Sequence, residues 1–222
     1  MEIITDLGPV INEQEISNLS ELIKNNKNLW THESVYWGKH RSELPINFLG
    51  SPVYPAKAFP TLYFKLRNKS NRFLIDNTTT MLQRTLNLIN QKFGCSAIEQ
   101  IDDSSLPGFH VFHSTIPCTQ TYDYHQDADY LEFYKDFDVD TKYDFNNFFS
   151  FTVAIELPVA GATIDFKLEN ETFSHPYTAG HAYMWKSDIW HKIGDVSLNG
   201  DDYRITFQGH LIVHSNKLLY YW

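Results

Sequence analysis

Two cysteines, Cys95 and Cys118, are all that 222 residues provide. That is too few for a disulfide framework, and their spacing matches no zinc site. Both are expected as free thiols in a reducing cytosol, which makes a cytoplasmic location the expectation. No stretch approaches the 18 or more apolar residues that would span a bilayer, so no membrane partner is expected. The opening MEIITDLGPV lacks both a basic start and an apolar core, and so does not read as a secretory signal. Basic charge is scarce as well. Lys and Arg total 18 against 27 Asp and Glu, a formal charge of -9. Such a chain is repelled by phosphate backbones, which argues against a nucleic-acid partner. Internal repeats and low-complexity segments are absent.

What the chain does have is apolar and aromatic material. Apolar residues make up 42% and aromatics 15%, with 16 Phe and 13 Tyr. This is ample for a packed core, and the length suits one domain over 1–222. Two segments read as helices. In VINEQEISNLSELIKNN, Asn12 and Glu15 form a capping-box pair, and Ile16, Leu19, Leu22 and Ile23 recur on one face. In DNTTTMLQRTLNLINQKFG the stripe is Met81, Leu82, Leu86, Ile89 and Phe93, with Gly94 as the stop. Between them, residues 30–75 are rich in Pro, Gly and aromatics, and TLYFKL reads as a strand.

After Gly94 short aromatic and β-branched runs follow one another: GFHVFHS, TYDYHQD, FFSFTVAIEL, ATIDFKL, AYMWKS and YRITFQGHLIV. Turn-prone pieces such as PVAG and SLNGDD separate them, as in an antiparallel sandwich or barrel. The class is therefore α+β, mainly β, with 1–93 as supporting helices and outer strands and 94–222 as the β-rich core. The terminal LLYYW is too apolar to sit free and is expected to pack on that core.

TYDYHQDADY gathers one histidine and three acids among aromatics. If the run is a strand, His125 and Asp127 point to one side and can reach a single cation. By itself the pair also fits a polar surface patch. A third ligand must come from a distant strand, and His191, within PYTAGHAYMWKSDIWHKIGDV, fits better than His181. The latter directly follows the AG turn, where a turn-stabilising role is more natural. Trp190 and Ile193 would shield a site at His191 from water. Downstream, Arg204 and Thr206 share a strand face that should lie deep in the barrel. A buried guanidinium needs an anion, and a carboxylate gripped bidentately would serve, with the Thr206 hydroxyl adding a donor. The bland alternative is an Arg204 paired with an internal acid.

Taken in order, His125-x-Asp127, then His191 64 residues on, then Arg204-x-Thr206, resemble the Fe(II)- and 2-oxoglutarate-dependent dioxygenases. The resemblance covers roughly 108–214; GATIDF looks like the Gly-led strand of that family, and SLNGDD accounts for the 13-residue step from His191 to Arg204 as an extended hairpin connection. It implies a double-stranded β-helix, a jelly-roll and cupin relative, with helices packed outside. It also implies a facial triad of His125, Asp127 and His191 holding Fe(II). The cosubstrate 2-oxoglutarate would meet Arg204 and Thr206 through its distal carboxylate, and dioxygen would be consumed as succinate and CO2 are released. Halogenases of the family lack the carboxylate, so Asp127 favours hydroxylation, or a related desaturation or ring closure, of a small molecule or amino-acid-like group, with a peptide also within the family's range. Two other readings stand beside this one. One is a cupin-like metal enzyme that does not use 2-oxoglutarate, and the other is a β-sandwich binding protein without catalysis.

Other features lead elsewhere. Asp136, Asp138 and Asp140 have the spacing of a calcium loop, but Thr141 and Asn147 stand where its glycine and bidentate glutamate belong. The stretch reads as a flap over the pocket or as a solvated acidic loop. His110 and His113 fall on opposite strand faces and are expected packed or exposed. His210 shares the parity of Arg204 unless a bulge at Gly209 reverses it. Asp123 and Asp129 read as solvated acids or as hydrogen-bond partners of the ligands.

Overall fold

The computed structural model describes residues 3–37, 45–53, 59–114, 118–127, 147–160, 162–169 and 171–222, with backbone alone at 36, 37 and 118–120. The Asp136–Asp140 stretch, Asp129 and the side chain of Cys118 lie outside that description. Cys95 is a buried free thiol.

The chain starts with β1 (Ile4–Pro9) and α1 (Glu13–Asn25). The capping box forms as its residues suggest: Asn12 accepts from the Glu15 backbone, and the Glu15 carboxylate accepts from the Asn12 backbone. Then come β2 (Thr31–His32), α2 (Ser34–Trp37), β3 (Ile46–Leu49) and a long helix, α3 (Pro60–Phe93). The expected strand at TLYFKL is instead the start of α3. Pro60 opens the helix, where its missing N–H costs nothing. The buried stripe then runs Tyr63, Leu66, Ser70, Leu74, Thr78 and on to Ile89 at helical spacing. Ser70, Thr78 and Thr85 can occupy it because each hydroxyl donates to the carbonyl four residues back. Gly94, in the left-handed region at φ 66°, ends the helix.

Strands β4 (Ala97–Gln100), β5 (Gly108–His113), β6 (Cys118–Gln120) and β7 (Phe148–Glu156) follow, then β8 (Thr163–Leu168) and β9 (Glu171–Pro176). The last five are β10 (His181–Lys186), β11 (Trp190–Ile193), β12 (Val196–Leu198), β13 (Tyr203–His214) and β14 (Lys217–Tyr221). The large sheet runs β1-β10-β7-β13-β5-β3-β2, with β14 and β4 continuing beside β13. Opposite it lie β11-β8-β9 and β12-β6, joined through isolated bridges at His125–His191 and Ala160–Ser197. From β5 to β13 the chain passes back and forth between these two layers, and the large sheet orders its share β5-β13-β7-β10. That winding is a double-stranded β-helix.

The outer face of the large sheet carries Phe109, Val111, Phe151, Val153, Ile205 and Phe207 against Leu19 and Ile23 of α1 and the stripe of α3. The helices are thus supports, and the inner face is left to other uses. At the C-terminus Leu218, Tyr221 and Trp222 are buried, as LLYYW implied. Gly50 and Gly108 make room for Trp222: a Cβ on either would lie within 2.3 Å of its ring. No helix is long and apolar enough to cross a membrane among the described residues.

Candidate metal centre and its pocket

His125, Asp127 and His191 converge at one end of the barrel, each offering a ligand atom within 4.8 Å of the others. The convergence does not come from regular strand alternation, as the spacing suggested, because residues 121–127 form no regular strand. Instead the His125 and His191 backbones exchange a pair of hydrogen bonds of 2.9 Å, and the Asp127 N–H donates to the Ser187 carbonyl at 2.9 Å. These three bonds hold the segment against the start of β11. Nε2 of His125 lies 3.7 Å from Oδ1 of Asp127, and Nε2 of His191 lies 3.3 Å from Oδ2. Neighbouring positions around an octahedral ion sit about 3 Å apart, so the cluster needs little movement to close on a cation.

Each imidazole is oriented from behind. Nδ1 of His191 lies 2.9 Å from the Ile189 carbonyl, and Nδ1 of His125 lies 3.3 Å from that of Asp123. A carbonyl only accepts, so Nδ1 of each ring carries a proton, and Nε2 is the nitrogen turned toward the cluster, a ligand atom once it gives up any proton of its own. Burial alone would raise the Asp127 carboxyl. The facing histidines, His191 first and then His210 and His125, hold it far below the usual carboxylate range. His191 is correspondingly raised by Asp127 against the effect of its own burial. The carboxylate is ionised at neutral pH, the form that binds a metal.

Trp190 does not shield the site, contrary to expectation: it is 48% exposed, because it faces away from the barrel when its neighbour His191 faces in. The apolar wall comes from Trp185, whose ring meets the His191 imidazole edge-on at 5.2 Å, and from Phe166 at 6.2 Å. Ile193, two residues past His191, does line the pocket. His181 is held by the Asp6 carboxylate at 3.1 Å and takes no part. His113 stacks on Tyr203.

The cavity has a volume of about 580 Å³. The triad lies in its lining, with His110, Ser150, Tyr177, Gln208, His210 and Trp222 among the other walls. His210 faces inward, since the β7–β13 register is regular through Gly209 and shifts only between Ile205 and Thr206. His110, buried and pushed down to about 3 by desolvation and the nearby Arg204, is neutral. Asp123 is exposed at the rim, contributing its carbonyl to His125.

Arg204 is wholly buried; its three guanidinium nitrogens make no hydrogen bond of regular geometry, and the Tyr177 hydroxyl is the polar group that bears on it most. No acid pairs with it among the described residues. The rings of Phe112 and Tyr177 cover it at 5.2 and 5.6 Å. Arg204 itself is not part of the lining; Tyr177 is. Thr206, also fully buried, accepts from the Gln208 amide at 3.2 Å and keeps its own hydroxyl proton to donate.

No known family profile and no curated protein sequence matches the chain. Solved structures of similar fold include a Pseudomonas putida prolyl-4-hydroxylase, at 9% identity over 97% of this chain and 95% of that one, TM-score 0.47. The viral collagen prolyl hydroxylase of Paramecium Bursaria Chlorella virus-1 gives 14%, 96%, 97% and 0.46 in the same order. The non-haem α-ketoglutarate-dependent epimerase SnoN from nogalamycin biosynthesis gives 12%, 95%, 80% and 0.46. At such identities the likeness extends to the fold alone. What this chain presents by itself is a double-stranded β-helix with two imidazoles and one carboxylate gathered inside its barrel.

Proposed function

We propose that the chain is an Fe(II)- and 2-oxoglutarate-dependent oxygenase that hydroxylates an unactivated C–H bond of a small molecule or amino-acid-like group. The observation that carries this reading is the pairing of two features in one barrel. His125, Asp127 and His191 gather at one end, and deeper in lies a buried arginine that no described acid neutralises. Two neutral imidazoles and one carboxylate on one side suit Fe(II) with positions left open. When bound, the iron and 2-oxoglutarate would supply the oxidation by dioxygen, releasing succinate and CO2.

The protein's own residues would do the rest. Ile189 and Asp123 carbonyls fix the ligand tautomers, while Trp185 and Phe166 keep water from His191. Arg204 would receive the distal carboxylate. An isolated buried guanidinium costs several kcal/mol, and a bound anion relieves that cost. Rings cover the guanidinium, so its N–H edge is what remains for an in-plane acceptor, and Thr206 can add a hydroxyl donor. A cavity of about 580 Å³ that must also admit the cosubstrate suits a small substrate or a single side chain.

The test is succinate release from 2-oxoglutarate with Fe(II), run against a panel of amino acids and small metabolites and read by mass spectrometry for a gain of one oxygen. Substrate-stimulated succinate in wild-type protein, lost in Asp127→Ala, is expected. Stabilisation by metal with no response to 2-oxoglutarate would favour an enzyme using only the protein ligands. Response to neither would leave a binding protein.

A further inference from the structure

Behind Asp127 lies a buried polar cluster that metal ligation does not itself require. Ser150 of β7 donates its hydroxyl to Oδ2 of Asp127. The carboxylate has no proton to give, so the single hydrogen of Ser150 is committed there. The oxygen of Ser150 must then accept from its other neighbours, the Ser187 hydroxyl at 2.9 Å and Nδ1 of His210 at 3.2 Å. Ser187 also supplies the carbonyl that receives the Asp127 N–H. Ser150 stands opposite His210 on β13 and opposite Trp185 on β10, and is 2% exposed. The hydroxyl is fixed on both sides by cross-strand neighbours.

Resting on the metal reading above, we propose that Ser150 is the positioning residue of this centre. Its hydroxyl occupies a lone pair of Oδ2 and, among the described residues, leaves Oδ1 without a hydrogen bond, so it would favour a single bond from the carboxylate to the metal over a two-oxygen chelate. The consequence is coordinative. A carboxylate bound through both oxygens would take two of six positions and, with two imidazoles, leave two. One bond leaves three, the number that a chelating 2-oxoacid and dioxygen together require.

The experiment measures metal affinity, not turnover. Mn(II) binding is measured by calorimetry and the Co(II) absorption spectrum is recorded for wild type, Ser150→Ala, Ser150→Thr and Asp127→Ala, with folding checked by circular dichroism. Supporting residues of metal sites are typically worth about 10–100-fold in affinity. Ser150→Ala is therefore expected to bind Mn(II) within that range more weakly and to shift the Co(II) bands. Ser150→Thr, which keeps the hydroxyl, should remain within about threefold of wild type. Native affinity and an unchanged Co(II) spectrum in Ser150→Ala, with binding lost in Asp127→Ala, would overturn the role given to Ser150 and leave the triad standing. Equal weakening in folded Ala and Thr variants would also overturn it, because the hydroxyl would then not be the cause. Undiminished binding in Asp127→Ala would remove the triad itself.

Discussion

Along β13, Ile205, Phe207 and Leu211 turn outward to the helices, while Arg204, Thr206, Gln208 and His210 turn into the barrel. Phe207 and Arg204 are equally withdrawn from water, each at 0% exposure. On the outer face that withdrawal stabilises the fold, by roughly 1.5–3 kcal/mol per large apolar side chain. On the inner face it costs at Arg204, whose donors are held away from solvent without an acceptor of good geometry. On the function proposed above, a bound anion at Arg204 would offset that cost. Burial therefore separates two kinds of interior here, an apolar one that holds the protein together and a polar one that the proposed function would use for a ligand.

The comparison can be broken in graded steps. Asp127→Ala should have the largest effect, lowering metal affinity beyond the about 10–100-fold typical of supporting residues and abolishing succinate formation. Phe207→Ala should destabilise the protein by about 3–5 kcal/mol in denaturant titration while leaving metal affinity per folded molecule unchanged. Arg204→Met should do the reverse. Removing an unpaired buried charge should raise ligand-free stability by about 1–3 kcal/mol, and stabilisation by 2-oxoglutarate should disappear.

His110 gives a smaller, pH-dependent effect. Its pKa falls from 6.5 in the unfolded chain to about 3 in the fold, so between those values only the unfolded chain takes up a proton. Its contribution is complete above pH 6.5 and is lost as pH falls toward 3, at up to about 1.4 kcal/mol per pH unit. Stability measured against pH for His110→Gln should fall less steeply over that window than for wild type. Trp190→Ala should change stability by no more than about 0.5 kcal/mol and leave metal binding alone.

These residues also mark what a linear sequence can and cannot convey. His125, Asp127 and His191 were readable as a cluster through their likeness to a known ligand pattern, although the strand parity expected to align the first two is not what brings them together. Arg204 and Thr206 do share the inward parity of β13, and the Asn12–Glu15 cap was readable because it is local. The first half of α3 was not, since TLYFKL has the look of a strand and the buried stripe continues through Ser70 and Thr78, whose hydroxyls are satisfied only once the helix exists. Trp190 was expected to guard His191 because it is next in sequence, whereas the guard, Trp185, is next in space. Ser150, Ser187 and His210 gather around Asp127 through pairing between β7, β10 and β13. That register belongs to the folded sheet and to no single segment.

The most direct test of a barrel that takes a metal at the triad and an anion at Arg204 is a two-ligand thermal shift without oxygen. Melting temperature is followed as Fe(II), and then 2-oxoglutarate, is added to wild type, Asp127→Ala and Arg204→Met. Stepwise rises are expected in wild type, no metal-dependent rise in Asp127→Ala, and the metal step alone in Arg204→Met. If 2-oxoglutarate raised the melting temperature of Arg204→Met as much as that of wild type, the inner face of β13 would not be what receives it, and the account would be contradicted.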